Sequence, residues 1–298
     1  MSNTQKLIAV FGATGHQGGG VVRALQADGR FKVRALTRNP AKHPQLADEV
    51  VLADLNRPET LRAALAGAHG VFLVTNFAEP GTDEHHQALA AVHAAREAGV
   101  RHFIWSTLPN VEAISHGKLD VPHFTEKAKV DGIVREAGFA HHTFVIAPFF
   151  YQNLLGVMAP QKQPDGTLGW ALPLDPERRV LHMGDVTELG PIVVGALAQP
   201  QLAGQGQHLP LVGDFLSFND IIATLNEQGR KVSFRRVPPE LFASWFPGAK
   251  EIATMLAYFD AHTYLGSDSR DAIALANKVA GRQPTRFAAW ARANFPGS

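Results

Sequence analysis

Short apolar runs alternate with amphipathic stretches through the first half of the chain. Residues 7–11, 32–36, 49–52, 70–75, 101–106 and 142–147 are rich in Val, Ile, Leu and Phe and are bounded by Gly, Asp, Asn or Pro, which predicts strands. Their near-continuous apolar character suits parallel strands covered on both faces. Between them, 19–27 carries Val21, Val22 and Leu25 on one side, and 83–98 carries Leu89, Val92 and Ala95 at helical spacing. Residues 122–137 open on Pro122, which suits a first helical turn. This alternation predicts an α/β fold built on a Rossmann doubly wound parallel sheet.

The rhythm changes after Pro148. Pro, Gly and aromatic residues become frequent over 159–176, and two helical patterns follow at 217–229 and 239–259. A smaller α+β C-terminal lobe is expected there, lying over the carboxyl edge of the sheet. The division is a nucleotide-binding part over 1–150 and a substrate or partner lobe over 151–298. Residues 180–197 read as a strand and a helix that return to the main sheet.

Composition narrows the function. Of 298 residues, 45% are hydrophobic and 18% charged, and the formal net charge is +1. A balance that close to zero gives no bulk attraction for nucleic acid or an anionic membrane, so neither is expected as a partner. The chain has no cysteine, which excludes thiolate nucleophiles and Cys-ligated metals and fits a reducing compartment. No apolar run is long enough to span a bilayer. The polar start, 1–6, lacks the features of a secretory signal, and a cytoplasmic protein is expected.

The first strand runs into Gly12-Ala13-Thr14-Gly15-His16-Gln17-Gly18 and then a helix, a GxxGxxG pattern. Gly12 permits the tight turn, Gly15 lets the backbone approach a pyrophosphate, and Gly18 lets the helix pack on the strand. The helix start offers N–H groups and partial positive charge to phosphates. The end of the second strand bears on NAD against NADP. It reads Thr37-Arg38-Asn39-Pro40, with Lys42 beyond and no acidic residue from 32 to 45. A guanidinium at Arg38 suits a ribose 2′-phosphate, so the expected cofactor is NADP(H). Lys42 either assists or is a surface lysine. Asp54 and Leu55 follow the third strand, where they line an adenine pocket or form a plain turn. Thr75, Asn76 and Phe77 end the fourth, where the nicotinamide half is expected.

Several motifs resemble the NmrA-like branch of the atypical short-chain dehydrogenases/reductases. They are Val10–Gly18, Thr37-Arg38-Asn39-Pro40, Gly99-Val100-Arg101-His102-Phe103-Ile104-Trp105-Ser106, Pro148-Phe149-Phe150-Tyr151-Gln152-Asn153-Leu154-Leu155, Ala159-Pro160-Gln161-Lys162 and Phe246-Pro247-Gly248-Ala249. The resemblance covers nearly the whole chain. It implies that Phe150, Tyr151, Gln152 and Asn153 pass near the nicotinamide, although aromatics there also suit a core between lobes.

Active short-chain dehydrogenases use Tyr-xxx-Lys on a helix, the lysine lowering the tyrosine pKa and holding the nicotinamide ribose. The matching helix here contains His123-Phe124-Thr125-Glu126-Lys127. Lys127 fits the family lysine, and His123 stands where the tyrosine would be. His123 either fills space with a hydrogen bond or donates a proton, since imidazole titrates near ~6.5. Ser106 and Thr107 resemble the family's serine position. Asp185 reads as a helix N-cap. The 14 histidines show no metal-ligand spacing.

Two functions follow. The first is a redox sensor or regulator that holds NADP(H), orders segments 118–125 and 159–170 with occupancy, and presents them to a protein partner. The second is an NADPH-dependent oxidoreductase of quinones, dyes or imine-like acceptors. Its small apolar substrate would sit among Phe149, Phe150, Trp170, Phe242, Trp245 and Phe246.

Overall fold

The computed structural model describes residues 5–77 and 82–295; residues 1–4, 78–81 and 296–298 lie outside the described residues. The first half runs β1 (Lys6–Val10), α1 (His16–Asp28), β2 (Phe31–Thr37), β3 (Glu49–Leu52), α2 (Leu61–Leu65), β4 (Gly70–Leu73) and α3 (Glu84–Glu97). It continues through β5 (His102–Thr107), α4 (Val111–Ile114), α5 (Pro122–Glu136) and β6 (His141–Ile146). The second half begins with β7 (Phe149–Phe150), β8 (Gln161–Lys162), β9 (Leu168–Leu172), β10 (Leu181–Gly184), α6 (Leu189–Ala198), α7 (Pro200–Ala203) and β11 (Gln205–Pro210). It ends with β12 (Asp214–Leu216), α8 (Phe218–Glu227), β13 (Val232–Arg236), α9 (Pro239–Ala243), α10 (Ala249–His262), α11 (Arg270–Ala280) and α12 (Phe287–Asn294).

A seven-stranded parallel sheet has the order β11-β6-β5-β4-β1-β2-β3. The central strands β4 and β5 are buried at every position, as strands covered on both faces must be. One face carries α1, α6 and α11 over Ile8, Val10, Val33 and Ile104. The other carries α2, α3 and α5 over Ala9, Leu36, Val71 and Phe103. The chain leaves β1 towards β2 and β3, then returns to place β4 on the other side of β1. That reversal opens a crevice at the carboxyl ends of β1 and β4, where ligands collect in such sheets.

Two three-stranded sheets, β12-β10-β7 and β13-β9-β8, build the second lobe. Its core includes Phe124 from α5 and Phe149, Trp170, Phe218, Phe242 and Phe259. Residues 180–197 divide between the layers. Strand β10 pairs with β7 and β12 rather than with the main sheet. Helix α6 packs closely on α1: a Cβ added at Gly190 would lie 2.4 Å from the Ala24 Cβ. The strand that does join the main sheet is β11, beside β6. Its sequence Gln-Gly-Gln-His-Leu-Pro is too polar to stand out as a strand, because it lies at the sheet edge. The helix pattern at 239–259 breaks into α9 and α10 at Ser244–Gly248, where Pro247 precedes Gly248 at φ +88°. Asp185 caps the turn Val186–Glu188 by accepting from the Thr187 N–H. No helix among the described residues is long and apolar enough to cross a membrane.

Candidate functional site

The glycine turn is shaped by contacts that exclude side chains. Gly12 has φ +63°, and a Cβ there would come within 2.7 Å of Val74 Cγ1 on the segment after β4. A Cβ on Gly18 would lie 2.3 Å from the Gly12 carbonyl oxygen, so α1 can begin this close to β1 only with glycine. Gly15 is the N-cap of α1 and supplies no capping side chain, and the first turn holds no acidic residue. The helix start therefore keeps its partial positive charge and its donors for an anion. Ala13 is buried beneath the turn, while Thr14 and His16 are exposed at its surface. Gln17 is tied to the end of β5, its Oε1 accepting from Ser106 Oγ at 2.7 Å.

Strand register sets the neighbouring loops beside this turn, since Val10 lies opposite Ala35 of β2 and Phe72 of β4. Arg38 and Lys42 are exposed just beyond β2, Lys42 closing a short 3-10 turn that begins at Pro40. Asp54 forms a turn: its Oδ1 accepts from the Asn56 N–H at 3.0 Å, and its carbonyl accepts from Arg57. Leu55 packs against the core on the α2–α3 face.

Thr75, Asn76 and Phe77 lead from β4 into a cavity of about 950 Å³ that extends between the sheet edge and the second lobe. Gln17, Ser106, Thr107, His123 and Lys127 line it on the Rossmann side. Phe149, Phe150, Asn153, Trp170, Phe242, Trp245 and Phe246 line it from the second lobe.

Lys127 is only 5% exposed, and its ammonium meets three acceptors: Glu84 Oε1 at 2.6 Å, Thr75 Oγ1 at 2.9 Å and the Thr75 carbonyl at 3.2 Å. An ammonium has three N–H donors, so all are used within the protein. Thr75 Oγ1 in turn donates to Glu84 Oε1 at 2.5 Å. Burial pushes the Lys127 pKa down, and Glu84 opposes that shift. For Lys127 to reach a nicotinamide ribose, it must release one of these partners.

His123 lies one turn before Lys127 on α5. Its Nδ1 is 2.5 Å from Glu251 Oε1 on α10, and its ring stacks on Phe77 with centroids 4.6 Å apart. The imidazole thus braces the two lobes at the cavity wall. No tyrosine takes its place. Tyr151 points its hydroxyl at Asp214 and the Thr285 carbonyl, Tyr258 at the Tyr264 carbonyl, and Tyr264 at the Ala147 carbonyl. Burial raises the pKa of all three, with Asp214 adding to the shift at Tyr151.

The segment 150–153 divides. Phe150 and Asn153 face the cavity. Tyr151 is fully buried against Phe287 and Trp290, and Gln152 donates to Asp185 Oδ1 at 2.6 Å. The geometry gives these two residues a packing and a capping contact instead of a place on the cavity wall. Among the described residues, no group of His, Asp and Glu could hold a metal.

Comparison with known proteins bears on this arrangement. The model of the NmrA-like family matches residues 4–291. The chain belongs to the NmrA-like family. An NmrA-like family domain-containing protein of Dictyostelium discoideum is 31% identical, over 86% of this chain and 87% of that protein. An NmrA-like family domain-containing oxidoreductase of Aspergillus japonicus, himF, is 29% identical, over 77% of this chain and 75% of its own. The crystal structure of NmrA, a negative transcriptional regulator in complex with NADP, superposes with a TM-score of 0.83 at 25% identity. That match covers 98% of this chain and 96% of the regulator. The same regulator has also been solved with NAD.

Two partners in this NmrA-like site escape a reading of the sequence. Glu84 opens α3, where an acidic first turn is ordinary helix chemistry, yet it is buried against Lys127, 43 positions away. Glu251 meets His123 from 128 positions away. Neither pairing leaves a local pattern.

Proposed function

We propose that this NmrA-like chain binds NADP(H) at the carboxyl edge of the main sheet and reduces a bulky apolar acceptor held in the adjoining cavity. The pyrophosphate would lie on Gly12–Gly18 and the uncapped start of α1. Arg38, with Lys42, would meet the 2′-phosphate, and the loop at Asp54-Leu55 would border the adenine. Thr75, Asn76 and Phe77 would run beside the nicotinamide half. When bound, NADPH supplies a hydride from its nicotinamide. The protein's part is to exclude water and orient the acceptor with the aromatic walls. The carrying observation is one aromatic-lined cavity of about 950 Å³ that includes both Gln17 of the glycine turn and Trp170 of the second lobe. Such a volume suits a drug-sized molecule. The NADP complex of the related regulator and the names of the fungal oxidoreductases support the reading. Residues 1–150 then hold the dinucleotide, except that Phe149 and Phe150 join 151–298 around the acceptor, with α6 and β11 completing the nucleotide layer. The cytoplasm, a reducing compartment, is the proposed setting.

The second reading is a redox sensor or regulator that presents its occupancy to a protein partner. It is favoured by Lys127, whose donors are consumed by Glu84 and Thr75, and by three tyrosines whose hydroxyls are each engaged by an acceptor within the protein. NADPH absorbance followed with quinone, dye and imine acceptors separates the two. Acceptor-dependent loss supports the reductase. NADPH binding with no consumption across all three classes overturns it in favour of the sensor.

A further inference from the structure

Lys127 and Thr75 line the large cavity, but Glu84 does not. Glu84 touches the site only through the groups it holds. Its Oε1 accepts from the Lys127 ammonium at 2.6 Å and from the Thr75 hydroxyl at 2.5 Å. It is not needed as a helix cap, since Asp83 caps α3 by accepting from the His86 N–H at 2.9 Å. Nor does a buried ion pair by itself argue for stability, because apolar residues of similar volume often serve as well. A carboxylate kept behind a cavity lysine points instead to a use at the cavity.

The rest of the Lys127 environment is uncharged. Its backbone carbonyl accepts from the Trp105 indole N–H at 3.3 Å, and the Trp105 ring centroid of β5 lies 5.2 Å from the ammonium. The titratable groups one turn away on α5 are paired elsewhere, His123 with Glu251 of α10 and Asp131 with His208 of β11. From α4, Glu112 approaches Lys129. Glu84 of α3 is thus the charged group that acts on Lys127. The other two acceptors, both on Thr75, are neutral oxygens, and the carbonyl is the longest contact at 3.2 Å. An ammonium holds a carboxylate more strongly than a neutral oxygen. The Thr75 carbonyl is therefore the partner released at least cost, and Glu84 the last.

We propose that Glu84 is a positioning residue for the cofactor: it keeps hold of Lys127 while the ammonium exchanges the Thr75 carbonyl for a hydroxyl of the nicotinamide ribose. Lys127 then meets the ribose as a charged donor, in a place where burial alone opposes the charge. This deepens the proposed function, because it rests on NADP(H) lying at the carboxyl edge of the sheet, and it holds alike for a reductase and a sensor.

The test is a calorimetric titration of the full chain with NADPH and with adenosine 2′,5′-bisphosphate, which keeps the 2′-phosphate but lacks the nicotinamide ribose. The range is about pH 7 to about pH 9.5, above the titration of phosphate and imidazole. Glu84→Gln should weaken NADPH as pH rises, the loss setting in at least about one pH unit below that of the unaltered protein, the lower end of what an opposite charge supplies. Glu84→Asp, which keeps the charge, should return the profile towards the unaltered one. The bisphosphate should bind all of these proteins alike, which also shows that they are folded. In Lys127→Met, NADPH should bind at least about tenfold weaker, and adding Glu84→Gln should change its affinity no further. Should Glu84→Gln not fold, the unaltered protein still decides. At about pH 8, in buffers of different ionisation enthalpy, NADPH binding should take up no more protons than bisphosphate binding does. Extra uptake approaching one proton would mean that Lys127 gains its charge only with the cofactor, and would overturn the inference. So would equal weakening of NADPH and the bisphosphate in Glu84→Gln. NADPH failing to bind the unaltered protein would bring down the dinucleotide reading and this inference with it. NADPH binding with a pH profile indifferent to Glu84→Gln would bring down this inference alone.

Discussion

Glu84 and Lys127 form an ion pair 2.6 Å long, with both side chains only 7% exposed, at the wall of the large cavity. A buried pair of this kind is costly to break, because the surviving charge has no solvent to replace its partner. Glu84→Gln is therefore expected to lower unfolding stability by about 3 kcal/mol in urea titrations. Replacing both residues, as Glu84→Leu with Lys127→Met, should recover most of that loss, since two charges are then removed together. A loss in the double variant equal to the sum of the losses from Glu84→Leu alone and Lys127→Met alone would show that the pair is not coupled.

Two neighbouring glycines of α1 separate binding from packing. Gly18 faces the Gly12 carbonyl, and Gly20 faces the Thr187 carbonyl, with an added Cβ at 2.3 Å in each case. Gly20→Ala should cost about 1–3 kcal/mol of stability through overpacking, with NADPH affinity nearly unchanged in the folded protein. Gly18→Ala distorts the turn itself and should abolish NADPH binding as well. Calorimetric titration beside urea unfolding reads both effects.

Acid should destabilise this fold through two buried imidazoles. His102 donates from Nε2 towards Thr143 Oγ1 at 2.8 Å, while that hydroxyl donates to the Ala203 carbonyl at 2.6 Å. Burial holds the pKa of His102 down to about 3, with His141 and His69 adding to the shift, and burial holds that of His182 at about 4. Below the ordinary imidazole value near 6.5, the unfolded chain takes up protons that the folded chain refuses. Stability present above that pH is lost on acidification towards the folded values, at up to about 1.4 kcal/mol per pH unit for each group. Urea midpoints measured from about pH 7 to about pH 5 should fall, and His102→Gln should flatten the slope. An unchanged slope in that variant would remove His102 from the account.

His123 offers a further check on chemistry against bracing. Its contacts with Phe77 and Glu251 join α5 to the segment after β4 and to α10. As a brace, His123→Phe should leave the NADPH affinity and the single-turnover rate of NADPH consumption unchanged, while lowering the melting temperature. A rate loss of about tenfold or more at constant affinity would instead make the imidazole a proton donor, within the range of general acid catalysis.

The parallel sheet was legible because its strands are buried on both faces and read as apolar runs, as Phe103, Ile104 and Trp105 illustrate. The glycine turn was legible because close backbone packing admits only glycine at Gly12 and Gly18. The edge strand β11 was not, since Gln205 and Gln207 look like loop residues until β6 supplies a partner. The pairing of β9 with β13, Leu168 opposite Val232, joins segments with no shared local pattern. The cavity was foreshadowed by its aromatics, but the face that each residue of β13 takes was not. Arg235 and Arg236 are identical in the sequence and differ only in the face of β13 they occupy.

The central claim is that the chain takes a dinucleotide over the start of α1, with Arg38 reading the ribose phosphate. Isothermal titration calorimetry with NADPH and NADH on the same protein, and on Arg38→Ala, tests it directly. The account predicts at least about tenfold tighter binding of NADPH, the worth of one charge-assisted contact, and loss of that preference in Arg38→Ala. Equal affinities for the two dinucleotides would contradict the role of Arg38, and heat from neither would contradict the account as a whole.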